Sequence, residues 1–139
     1  MDAPDLPPWL ELTAEPIADP TAGTVVVSGA DARRRGDLFG LLAQTLDLPE
    51  WFGRNWDALA DCLLDRDDAG PLALRVDDAD QLLGDEPPAQ FATLLQLCDD
   101  VWSHGRYPFR LVLRTTGDRL PALGRRVRTG LSWAGRGSR

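Results

Sequence analysis

Three aspartates at four-residue spacing, Asp57, Asp61 and Asp65, would stand in a row along one face of any helix that carried them. Carboxylates placed that way can trade protons, hold a cation, or offer a string of negative charge to a basic partner. Just upstream lie Trp51, Phe52 and Gly53, and two aromatics beside a glycine and an acidic stripe read as a recognition surface, although one of the aromatics could be core. The plainer alternative for the aspartates is an ordinary solvated face. Catalysis finds little else to use. His104 is the only histidine and falls at the exposed end of a helix. A hydrolytic pair normally comes from separate elements facing a cleft, which Asp57 and Asp61 would not do. No phosphate-binding glycine loop or zinc spacing occurs, and Asp65, Asp67 and Asp68 lack the glycine and distal glutamate of a calcium loop. The expectation is therefore no catalytic residue, no metal and no cofactor.

Elements must hold those residues in place. Pro49 and Gly53 punctuate a loop, Asn55 is the N-cap candidate, and a helix follows from Trp56 to about Leu64 with Trp56, Leu59, Ala60 and Leu63 facing inward. Thr24 to Ser28, Pro71 to Val76 and Phe109 to Leu113 read as short buried strands. Between them, Gly36 and Asp37 open a helix with Asp37 as its cap, and Asp77, Asp78 and Asp80 precede a turn that ends near Gly84. Pro87 and Pro88 start the longest helix, whose inward stripe is Phe91, Leu94, Leu95, Cys98, Val101 and Trp102, whose outer face bears Asp99, Asp100 and His104, and which stops at Gly105. Strands alternating with helices predict an α/β fold with a small three-stranded parallel sheet covered by helices.

Length bounds the chain to one domain of 139 residues with flanking segments. Residues 1–23 form a proline-rich extension (Pro4, Pro7, Pro8, Pro16, Pro20) that is extended in conformation, with Trp9 able to dock on the domain; 24–118 is the domain; 119–139 is an arginine-rich tail with room for a docked helix over 121–132 and disorder at its end. Net charge is −7, but all 22 acids precede Arg119 with only nine of the 15 arginines, which leaves that segment at −13. Such a field opposes nucleic-acid binding and favours a basic protein partner. Arg33, Arg34 and Arg35 are read as internal counter-charges. Cys62 and Cys98, without a basic-then-apolar leader, read as buried thiols in a reducing cytoplasm, a disulfide being the alternative. No apolar run reaches ~18 residues, so no membrane span is expected.

The run Leu-Pro-Glu-Trp-Phe-Gly-Arg-Asn-Trp-Asp-Ala-Leu-Ala-Asp-Cys-Leu at 48–63 resembles the barstar family, intracellular protein inhibitors of small secreted ribonucleases, and the resemblance continues more weakly from about Thr24 to Thr115. It implies a barstar-like fold and a 1:1 complex with a small basic extracellular ribonuclease, formed by a cytoplasmic immunity protein that is a monomer when free. By the same resemblance the partner-binding residues are Trp51, Gly53, Asn55, Asp57, Asp61, Asp65 and Asp100, with Asp61 matching the carboxylate that occupies the enzyme's phosphate site. Three departures stand out. Trp51 replaces the family's usual tyrosine, Asp100 and His104 fall where glutamates can occur, and Arg66 falls where an aromatic might be expected. Two other readings stay open: a carboxylate-dependent hydrolase, and a scaffold with this fold and a non-nuclease partner.

Overall fold

Alternation decides the sheet. Leu72–Asp77 (β3) and Phe109–Arg114 (β4) each bury every second residue, Leu72, Leu74 and Val76 in one and Phe109, Leu111 and Leu113 in the other. Parallel strands buried on both faces would be apolar throughout; these are covered on one face only. The opposite face carries charge that is paired on the sheet itself, Arg75 with Asp77 at 2.9 Å and Arg110 with Glu11. Thr24–Ser28 (β2) pairs in parallel with β3, and β3 with β4.

The computed structural model describes residues 6–15, 22–66 and 70–137, with side chains as far as residue 132. Expectations that fall on Pro4, Pro16, Pro20, Asp67, Asp68 and the final residues 138–139 lie outside the described residues.

The sheet has four strands, which corrects the expected three. Leu10–Thr13 (β1), inside the proline-rich extension, pairs in parallel with β4 and completes the order β1-β4-β3-β2. Trp9 fixes it there. Its ring is 1% exposed, its indole Nε1 donates to Asp99 Oδ1 at 3.0 Å, and its carbonyl accepts from the Leu111 N–H at 2.8 Å. A buried tryptophan hides a large apolar area and needs a partner for its N–H, and this one has both.

Four α-helices cover the inner face: Arg35–Thr45 (α1), Trp56–Leu64 (α2), Pro88–His104 (α3) and Leu120–Gly137 (α4). At the start of α1 the cap position is Arg34, whose side chain makes no capping hydrogen bond; Asp37 is not the cap. The Glu86 carboxylate instead accepts from the Arg35 N–H at 2.9 Å, so an acid distant in sequence satisfies that first-turn amide. Nor do the acids before Gly84 cap the 3-10 turn Ala79–Gln81, whose leading residue Asp78 has a left-handed backbone, φ 50°.

α3 lies between α2 and α4. Phe91, Leu94, Leu95, Cys98 and Val101 are buried as expected, but Trp102 is 45% exposed and Asp99 turns toward Trp9. α4 begins one residue before the expected span and runs to Gly137, one residue longer than α3. Gly130 permits its close approach, because a Cβ there would meet Leu95 Cδ1 at 2.8 Å. The two cysteines are free and buried. Arg33 pairs with Asp85 at 2.9 Å and Arg34 reaches the same carboxylate at 4.0 Å, the internal role expected of that arginine run.

Candidate functional site: an acidic helix and its aromatic loop

Anchoring starts one residue inside the loop. Phe52 is buried, and its N–H donates to the Pro49 carbonyl at 2.9 Å to close a tight turn. The ring meets Phe39 of α1 edge-on, with centroids 6.2 Å apart, and Trp56 packs against the same Phe39 at 4.9 Å. Trp56 Nε1 donates to Gln90 at the start of α3. Loop and helix are therefore clamped to α1 and α3 at once. With Phe52 turned in, Trp51 is turned out, 67% exposed.

Gly53 and Asn55 join the loop to α2. The Asn55 Oδ1 accepts from the Ala58 N–H at 2.8 Å, the cap expected of it, while its Nδ2 donates to the Gly53 carbonyl at 3.3 Å. A Cβ on Gly53 would come within 3.2 Å of that Nδ2, so the bare backbone leaves room for the cap. Arg54, between them, takes a left-handed φ of 54°, a conformation that costs a non-glycine residue about 1 kcal/mol or more.

Along α2, Leu59, Cys62 and Leu63 are buried and Trp56 and Ala60 are half-buried. Asp57, Asp61 and Asp65 are all exposed. None of the three side chains makes a hydrogen bond or ion pair with a described residue, whereas Asp77, Asp80, Asp85 and Asp99 all do. Asp65 is the C-cap residue, and its near-helical backbone (φ −85°, ψ 3°) extends the row by one turn. The base of the helix is closed by Tyr107, whose hydroxyl donates to the Leu63 carbonyl at 2.7 Å. Arg66 lies over that tyrosine ring, 4.7 Å from its centroid. Burial pushes the Cys62 thiol up, and the charges of Asp61 and Asp65 push it further.

Asp100 stands apart from this row. It is half-buried on α3 and accepts from Gln96 Nε2 at 3.0 Å, roughly 80° round the helix from the Gln90 that touches Trp56. It lies on the shoulder of α3 nearer α2, with exposed His104 one turn on. Trp51, Gly53, Asn55, Asp57, Asp61 and Asp65 are all exposed on the loop and α2, and Asp100 lies on the neighbouring helix. Sequence reasoning missed Phe39, the support under the loop. Its only signal was an apolar residue beside Leu38, Leu41, Leu42, Thr45 and Leu46, which hold helical spacing.

The acidic face of α2 and the outward-facing Trp51 together form an exposed surface on a small α/β domain. The family model for Barstar (barnase inhibitor) matches residues 22–114, about two thirds of the chain, and the chain belongs to that family, one of inhibitors and not of enzymes. No curated protein matches its sequence. The match begins just before β2 and ends with β4, so β1 and α4 are additions lying side by side at the β4 edge of the sheet. Among the described residues no cluster of three or more metal-ligating side chains occurs, and no helix is long and apolar enough to cross a membrane.

Proposed function

We propose that this protein is a stoichiometric inhibitor of a small microbial ribonuclease, occluding the enzyme's active site in a 1:1 complex. A ribonuclease cleft must hold a phosphate backbone and is lined with cations, and a rigid row of carboxylates presents charge of the same sign as the substrate. Asp61 occupies the central phosphate position, Asp57 and Asp65 flank it, Trp51 stacks on the rim of the base-binding side, and Asp100 meets the partner at the edge. The protein acts in the cytoplasm of the cell that makes it, as a monomer until it binds, and protects that cell.

The observation that carries this reading is the exposure of Asp57 and Asp61, without partners among the described residues, on a helix clamped at both ends. Because Phe52, Asn55 and Tyr107 already fix the loop and helix, little ordering entropy is spent on binding. A hydrolase would need its two carboxylates to face each other across a cleft; these point outward from one helix.

The test is cleavage of RNA by a basic ribonuclease of the barnase type, titrated with wild type and with Asp61→Arg. Wild type is expected to abolish cleavage at one equivalent, and the variant to need at least a thousandfold more protein. That magnitude comes from charge pairs measured in this family's best-studied complex, not from the present geometry. Equal inhibition by both removes Asp61 from the mechanism.

A further inference from the structure

The acidic row has a definite pitch. Asp57, Asp61 and Asp65 follow one another at four residues, so each carboxylate stands about 6 Å further along the helix axis and about 40° further round it. Asp65 keeps the step although α2 ends at Leu64, because its backbone stays near-helical. From first to last the row advances about 12 Å and turns about 80°, within the width of one helix face. All three residues are exposed.

That step is too wide for one shared ion. Carboxylates that hold a cation together bring their oxygens to about 2.3–2.6 Å from it, and no group of three or more metal-ligating side chains occurs among the described residues. The step is instead close to that between successive phosphates along an extended RNA strand. Opposite charge brackets the row in sequence, Arg54 being the last charged residue before Asp57 and Arg66 the first after Asp65. Arg54 lies against α1, its Nη1 3.4 Å from where a Cβ on Gly40 would stand, and Arg66 lies over the Tyr107 ring. The uninterrupted run of negative charge is thus three carboxylates long.

We propose that Asp57, Asp61 and Asp65 take the places of three successive phosphates in order, so that the partner is a ribonuclease whose cleft holds three phosphates of one strand with a cation for each. This rests on the inhibitor reading and adds to it the number and spacing of the subsites. A nuclease that gripped a single phosphate would leave two of the three carboxylates without a cation.

The test is a set of double-mutant cycles with a basic ribonuclease of the barnase type. The cations of its cleft are first sorted by the phosphate each one holds, using oligodeoxynucleotides of one, two and three phosphates, which lack the 2′-hydroxyl that attacks in RNA cleavage. Each sorted cation, changed to alanine, is then combined with Asp57→Asn, Asp61→Asn and Asp65→Asn. Oligonucleotide affinity should rise with each of the three phosphates, and each aspartate should couple tenfold or more to a different cation, in the order of the strand. That size is the lower end of the range measured for close charge pairs in this family's best-studied complex. Asp61→Asn and Asp65→Asn relieve like-charge repulsion and should leave thermal stability unchanged or higher, which separates a weaker complex from a folding defect. An affinity that stops rising after one phosphate, two aspartates coupled to the same cation, or an Asp65→Asn variant that inhibits like wild type would each overturn the three-phosphate assignment while leaving the inhibitor reading in place. Failure of wild type itself to inhibit would overturn both.

Discussion

The two flanks of α3 handle charge in opposite ways. On the α2 side three aspartates face solvent with no described partner, although like charges four residues apart destabilise a helix by a few tenths of a kcal/mol per pair. On the α4 side Arg119 pairs with Asp80 and Arg126 lies on Phe91, so charge is largely spent within the molecule. The outer face of the sheet follows the second pattern, with Arg75, Asp77, Arg110 and Glu11 paired. On the α2 flank that repulsion is offset by no described residue. That contrast is what the proposed division between a partner-binding flank and a fold-maintaining flank predicts.

The strongest way to break the contrast is to reverse charge on each flank in turn. Asp61→Arg should raise the inhibitory concentration at least a thousandfold while leaving thermal stability unchanged or slightly higher, because it relieves repulsion from Asp57 and Asp65. Arg125→Gln, on the other flank, should move inhibition less than about threefold. Loss of inhibition from both would mean that the partner spans α3, and that the flanks do not divide the work.

Stability should show the reverse asymmetry. Trp9→Ala removes the ring that fixes β1 and strands the Asp99 acceptor, and should cost about 3–5 kcal/mol in denaturant unfolding. Inhibition per folded molecule should be unaffected, since the hydrogen bonds of Trp9 go to Asp99 and to β4 and not to α2. A parallel loss of inhibition would tie the added strand to the binding surface.

Much of the α2 flank was legible because its signals are local. Asn55 declares its cap by residue type, Pro49 and Gly53 mark a turn, and four-residue spacing alone aligns the aspartates. The missing pieces depend on contacts distant in sequence. Leu10–Thr13 is too short and too crowded by prolines to announce a strand, and nothing local says that its free edge meets β4. Asp37 looked like a cap because its type suits one, but Glu86 had already taken the first-turn amide. Trp102 fits the helical stripe and is nonetheless exposed near the end of α3. Phe39 became important only once Phe52 and Trp56 converged on it.

Smaller effects sharpen the picture of a prebuilt surface. Asn55→Ala should lower stability by about 1 kcal/mol and also weaken inhibition, because the cap that starts α2 orients Asp57. Raising pH should loosen the other end of the helix. Burial holds the Tyr107 hydroxyl protonated above its ordinary 10.0, opposed in part by the neighbouring Arg66 cation, and burial likewise raises the Cys62 thiol above 9.0. Folded values above unfolded ones mean that this stabilisation is complete below about pH 9 and is lost as pH rises through the folded values. Thermal unfolding followed from pH 7 to 11 should show that decline, and Tyr107→Phe should remove the tyrosine part of it.

The smallest expected effect tests the paired side in acid. Arg33, through its hydrogen bond and its charge, holds the Asp85 carboxyl below its usual 3.8. A depressed folded pKa makes the contribution present above pH 3.8 and lost as pH falls through the folded value, so wild type should lose stability there. Arg33→Gln removes the cause and should flatten that part of the profile, leaving inhibition at neutral pH untouched. The pair is exposed and easily screened, so added salt should flatten the wild-type profile in the same way. Inhibition should weaken with salt as well, through slower association, but with no matching change in stability. If the exposed row acts on a partner as proposed, while the Arg33–Asp85 pair acts on the fold, the same ions should register in two different measurements.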